Sequence, residues 1–198
     1  MRLEEDTACD FHTQKKEDQT ALPKDPFPWG VRVMVASSQR LATQTGLKVL
    51  AKGGNAIDAA VAMVCTSSVV EPHSTGIGGD AFTLMYLASE KKLIGMNASG
   101  RAPYAADLSW FRERCMQEIP ATGVLSVTVP GALHGWAEAI KRYGLLGLGD
   151  VFEYAIYYAD NGFPVSEIIA GERQTAGEKL LSHPSSANFE ASQNSRHT

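Results

Sequence analysis

The sequence predicts an α+β chain in which a small amount of sheet is set among many helices. Three observations carry this expectation. The residues over 81–96 alternate and turn like one β-hairpin, and the second half, from 132 on, is helical in pattern. Strands and helices also fail to alternate evenly, which excludes a doubly wound sheet. Two or three strands make no large sheet, and a lone hairpin is marginal, so the pattern implies that further strands lie outside these 198 residues.

Taken in order, residues 1–28 are polar and end in LPKDPFPWG, whose prolines suit a flexible leader. The valine-rich run 31–36 reads as a strand, and Ser37 or Ser38 is placed to cap a helix over 40–52, stopped by Gly53 and Gly54. Asn55 caps a second, alanine-rich helix from 56 to 65 or a little further. Asp58 near its start reads as a local structural charge. A hairpin follows, with strands over 81–88 and 92–96 and a polar turn at 89–91. Helices are expected over 106–118, 132–143, 151–161 and 166–181, and a short β-prone segment over 124–129. The domain is thus expected over 29–182, with a polar, aperiodic tail at 183–198.

Composition excludes some functions. A net charge of −4 without a Lys/Arg stripe argues against nucleic acid as a partner. Cys9, Cys65 and Cys115 fit neither a zinc spacing nor a disulfide framework, and Cys65 in its apolar run reads as a core residue. The start of the chain has no apolar signal-peptide region, and no apolar stretch is long enough to span a bilayer. The chain as given therefore reads as cytoplasmic, whereas a signal upstream of it would make it extracellular or membrane-associated.

The glycines of GIGGD, 76–80, tempt a nucleotide reading. The spacing of Gly76, Gly78 and Gly79 fails the dinucleotide fingerprint, and a strand follows instead of a helix. No cofactor is expected. Two readings stay open: a turn that needs glycine sterically, or backbone that approaches a substrate, with Gly78, Gly79 and Asp80 as a cleft wall. Glu71, His73 and Asp80 match no standard metal spacing, and His73 reads as a packed, hydrogen-bonded residue. His134 reads as surface or local support. Arg101, between Gly100 and Ala102-Pro103, can present its fork to a substrate carboxylate or form an ordinary salt bridge.

Five ordered blocks, VMVASSQRLATQTGLKVLAKGGNAIDAAVA, VVEPHSTGIGGDAFTLMYL, SGRAP, VTVPGALHGWAEAIKRYG and YADNGFPVS, resemble the gamma-glutamyltransferase family over residues 31–165. The resemblance implies part of a four-layer αββα N-terminal-nucleophile sandwich, made as a precursor that cuts itself into large and small subunits. It implies acyl transfer from gamma-glutamyl amides such as glutathione to a threonine at the new N-terminus. That threonine belongs to a later segment, so the 198 residues are expected to be a truncated, inactive portion of the large subunit. Its expected partners are the small-molecule substrate and a complementary small subunit or C-terminal region. A non-catalytic binding partner and an acylase with another amide substrate are the alternatives. Two positions depart from the glutathione-type pattern. Asp80-Ala81 interrupts what is commonly a longer glycine run, and alignment on Ala-Pro puts Ser99 where the carboxylate-binding arginine commonly stands, with Arg101 two residues on.

Overall fold

The computed structural model describes residues 33–121 and 123–181. The leader expected over 1–28, the tail over 183–198 and Cys9 lie outside the described residues. The chain divides into two units, 1–34 and 35–198. Only Val33 and Met34 of the first are described, and the elements below all belong to the second.

The element order is α1 Arg40–Ala51, α2 Ala56–Val70, β1 Ala81–Leu87, β2 Lys92–Ala98, α3 Leu108–Glu113, α4 Ala132–Tyr143, α5 Leu148–Asn161 and α6 Glu167–Leu181. The mixed class and the hairpin agree with the sequence. The strand expected over 31–36 is not found in its described part, where residues 33–34 and 35–37 each run without a ladder. The reason is that β-branched composition favours a strand only where a partner supplies hydrogen bonds, and the one sheet among the described residues is β1–β2. The segment over 124–129 begins instead as a 3-10 turn, Val124–Ser126. The helix expected over 106–118 shrinks to α3, because Asp107 accepts from the Trp110 amide at 2.7 Å to cap it and Cys115 adopts a left-handed φ of 54° just beyond it.

α1 is capped by a different residue from either serine. Gln39 Oε1 accepts from the amides of Leu41 and Ala42, while Ser37 Oγ donates to the Gln39 carbonyl at 2.7 Å and Ser38 Oγ to Glu71 at 2.7 Å. The serine hydroxyls are engaged elsewhere, and the longer amide reaches the orphan N–H groups. Because Glu71 is the C-cap of α2, the Ser38 bond ties the start of α1 to the far end of α2.

α2 is apolar around most of its circumference because α1, α4 and α5 all pack on it. Its small side chains Ala59, Ala62 and Cys65 join Val49, Val61, Met85, Trp136, Ile140 and Val151 in one buried cluster. Burial pushes the Cys65 thiol up to about 12, so it acts as a small hydrophobe, as its sequence context implied.

The N-terminus of α2 is also where polar bonding concentrates. Asn55 Oδ1 accepts from the amides of Ile57 and Asp58, and Asp58 answers by accepting from the Asn55 amide at 2.8 Å, a reciprocal capping box. Asp58 has no exposed surface, and its carboxylate also accepts from the amides of Leu145 at 3.0 Å and Leu146 at 3.3 Å. Asn55 Nδ2 donates to the Tyr143 carbonyl at 2.6 Å. One four-residue segment therefore fastens the α4–α5 connection.

The hairpin is two-faced. Ala81, Met85, Ile94 and Met96 turn to the core, while Phe82, Leu84, Tyr86 and Leu93 are each more than 60% exposed on the other face. That is an apolar patch beside strand edges that are unpaired among the described residues.

Two outcomes follow for the isolated chain. Asp58→Ala removes the acceptor of the Asn55, Leu145 and Leu146 amides, and should lower unfolding free energy by about 3 kcal/mol in denaturant titration. The chain should also self-associate, running in light scattering above its 21.3 kDa monomer mass. Converting Phe82, Leu84 and Tyr86 to threonine should return it toward that mass.

Candidate functional site

Three stretches separated in sequence converge beside the hairpin: the glycine loop, the 97–103 segment that leaves β2, and the 127–131 segment that enters α4. Their backbones are joined by hydrogen bonds. The Gly79 carbonyl accepts from the amides of Gly131 at 3.2 Å and Ala132 at 2.9 Å. These are N-terminal donors of α4, which has no side-chain cap, so the loop carbonyl takes the place of one. Asp80 Oδ1 accepts from the Gly100 amide at 2.7 Å and from Thr128 Oγ1 at 3.0 Å. The Arg101 carbonyl accepts from the Val129 amide at 3.0 Å.

The close approach explains one glycine in particular. A Cβ built on Gly100 would lie 1.7 Å from the Val129 carbonyl oxygen, so no side chain fits there. Gly76, Gly78 and Gly79 are different. Their φ angles are not left-handed, and an added Cβ would meet nothing closer than 3.8 Å. Steric need within the described residues is therefore not the reason for glycine at these positions. Gly76 and Gly78 instead border an open apolar cleft of about 480 Å³, lined also by Ile77, Leu133, Phe152 and Ile156.

Arg101 is exposed and lines a second cleft of about 380 Å³ with Tyr104, Val129, Pro130 and His134. Among the described residues its guanidinium takes part in no ion pair; the pairs formed there belong to other side chains. The salt-bridge reading of Arg101 thus has no partner among them. Tyr104 and Thr128 were not apparent as site residues from sequence. The 48 positions between Thr128 and Asp80 carry no local signal of their bond. His134, read as surface support, is exposed and sits on the cleft rim.

The electrostatics follow from these contacts. The Gly100 amide, and after it the Thr128 hydroxyl, hold the Asp80 carboxyl below the ordinary aspartate range. A depressed carboxylate contributes stability above its unfolded pKa and loses it as pH falls through the folded one. The clamp is therefore intact at neutral pH and opens only in acid.

His73 and Glu71 stay apart from this site. His73 Nε2 meets Glu172 of α6 at 2.8 Å, as a packed, hydrogen-bonded histidine would, while Glu71 is occupied by Ser38. Among the described residues no group of three His, Cys, Asp or Glu side chains is arranged to hold a metal ion.

Comparison with known proteins identifies the context of this geometry. A family model described as gamma-glutamyltranspeptidase matches residues 42–197. The chain is 41% identical over 161 residues to the glutathione hydrolase-like YwrD proenzyme of Bacillus subtilis, covering 81% of this chain and 30% of that protein. It is 36% identical over 175 residues to the glutathione hydrolase proenzyme of the same organism, with 86% and 30% covered. Among solved structures, the Helicobacter pylori gamma-glutamyltranspeptidase superposes with a TM-score of 0.72 at 34% identity, over 78% of this chain and 45% of that one. The cephalosporin acylase from Bacillus halodurans gives 0.69 at 40% identity, over 82% and 31%. The chain spans about 30% of the length of the curated relatives it matches. With the matched region covering most of its residues, the chain belongs to the gamma-glutamyltranspeptidase family.

Proposed function

We propose that these residues form part of the large subunit of a gamma-glutamyl hydrolase or transferase of the four-layer αββα class, in which Arg101 grips a substrate carboxylate. The observation that carries the reading is the mounting of Arg101. Its carbonyl is bonded to Val129, the Gly100 amide before it is bonded to Asp80, and the residue itself lines an open cleft. A guanidinium on a fixed backbone gives a carboxylate both energy and orientation, because two parallel N–H groups meet two oxygens. The threonine nucleophile comes from a segment beyond these residues, and the hairpin's apolar face is covered by that segment. Gly78, Gly79 and Asp80 form the wall beside the bound substrate.

A second reading is kept by one comparison. The 40% identity to a cephalosporin acylase supports an amide substrate other than a gamma-glutamyl compound, cut by the same kind of acyl transfer. Both readings place a carboxylate-bearing amide at Arg101, and they differ in the acyl group.

The 198 residues alone should release no chromophore from a chromogenic gamma-glutamyl amide, measured against a boiled-protein blank. Turnover that survives repurification would overturn the assignment of the nucleophile to another segment. In the complete protein, Arg101→Ala should reduce kcat/KM for a gamma-glutamyl acid far more than for its matched α-amide. The differential should be about 1.5–3 kcal/mol, the worth of hydrogen bonds to a charged group. A folded variant with an unchanged acid-to-amide ratio would remove Arg101 from carboxylate recognition.

A further inference from the structure

We propose that Asp80 is the positioning residue for Arg101: its carboxylate holds the Gly100 amide and the Thr128 hydroxyl together and so fixes where the Arg101 guanidinium emerges. The proposal rests on the reading of Arg101 as the carboxylate-binding group, and it assigns Asp80 a task different from lining the wall.

The geometry carries it. Three successive residues are each tied by one bond to a different anchor. The Ser99 amide donates to Asn97 Oδ1 at 2.8 Å, the Gly100 amide donates to Asp80 Oδ1 at 2.7 Å, and the Arg101 carbonyl accepts from the Val129 amide at 3.0 Å. The first anchor is on the same strand and moves with it. The third is on the α4 approach, whose register against the loop needs a link of its own. Asp80 supplies that link, since the same oxygen that takes the Gly100 amide takes Thr128 Oγ1, one residue before Val129. Gly79, its neighbour, holds the start of α4 through its carbonyl. One dipeptide of the glycine loop therefore registers both segments that flank Arg101.

Chemistry explains why the anchor is an ionised carboxylate. It accepts both donors on one charged oxygen, where the neutral oxygen of an amide would hold the same two donors more weakly. Packing explains why the anchored residue is glycine. The Gly100 Cα lies so close to the Val129 carbonyl that a Cβ would collide with it at 1.7 Å, so the clamp closes only on a residue without a side chain. Because Asp80 is exposed, its bonds add little to global stability. Its effect falls on the local backbone, as a positioning role requires.

The test uses the complete protein labelled with ¹⁵N, in which the hairpin's apolar face is covered. The Gly100 amide proton shift and exchange rate are read first. The Arg101 Nε response to added L-glutamate, with L-glutamine α-amide as control, is read second. Asp80→Ala should move the Gly100 proton upfield, raise its exchange, and weaken the L-glutamate response about tenfold, the order expected for losing a charge-assisted hydrogen bond, while amides of α1, α2 and α5 keep their shifts. Asp80→Asn, which retains one acceptor, should fall between wild type and alanine, and it decides the matter if the alanine variant does not fold. Arg101→Ala separates the two claims. If it leaves the L-glutamate response of neighbouring amides intact, the carboxylate reading fails, while the Gly100 shift in the Asp80 variants still reports the clamp. An Asp80 variant with an unaltered Gly100 amide and an unaltered Arg101 response overturns the positioning role.

Discussion

Asp58 is the residue on which the arrangement of the helices turns. It is a carboxylate with no exposed surface, which would be costly in an apolar core, and it is tolerable because backbone amides surround it. Those amides come from two places, the start of α2 and the link between α4 and α5. Asn55 adds the Tyr143 carbonyl to the same junction. Gly144 is required there, since a Cβ would stand 2.6 Å from Asp58 Oδ1. This junction ties the α4–α5 connection to the start of α2, and α4 in turn carries Trp136, Ala139 and Ile140 into the core.

From that frame the segments of the candidate site are placed by α4. Its N-terminus is bonded to Gly79, and Gly135 packs so tightly on β2 that an added Cβ would lie 2.3 Å from Ala98 Cβ. The hairpin, the glycine loop and the 127–131 approach thus meet at one helix end. Arg101 leaves this junction exposed with its backbone bonded, and among the described residues its guanidinium forms no ion pair. A group that recognises a ligand is best mounted this way, because its own hydrogen bonds stay available while its origin does not wander.

Much of this could be read from the amino acids. Asn55 as a cap, the bounds of α4, the hairpin and the core role of Cys65 each follow from local chemistry, where cap, period and apolar context act within a few residues. Several of the errors arise where a hydroxyl or a strand edge needs a partner other than the one expected. Ser37 and Ser38 look like caps until Glu71 and the Gln39 carbonyl take their hydroxyls. The run over 31–36 looks like a strand, but its described residues have no strand beside them. Arg101 stood out by its neighbours, whereas the bond from the Gly100 amide to Asp80 shows only in three dimensions.

The Gly79 carbonyl has a consequence for how this region can vary. Because it completes the start of α4, the loop and the helix share a boundary condition. An insertion within 76–80 would displace the carbonyl and leave two amides of α4 to find water, while a new capping side chain at Gly131 is blocked by the Ala98 carbonyl 2.3 Å from any Cβ. Changes in loop length are thus tied to compensating changes at the head of a helix some fifty residues on, and engineering a wider cleft here means redesigning both ends together.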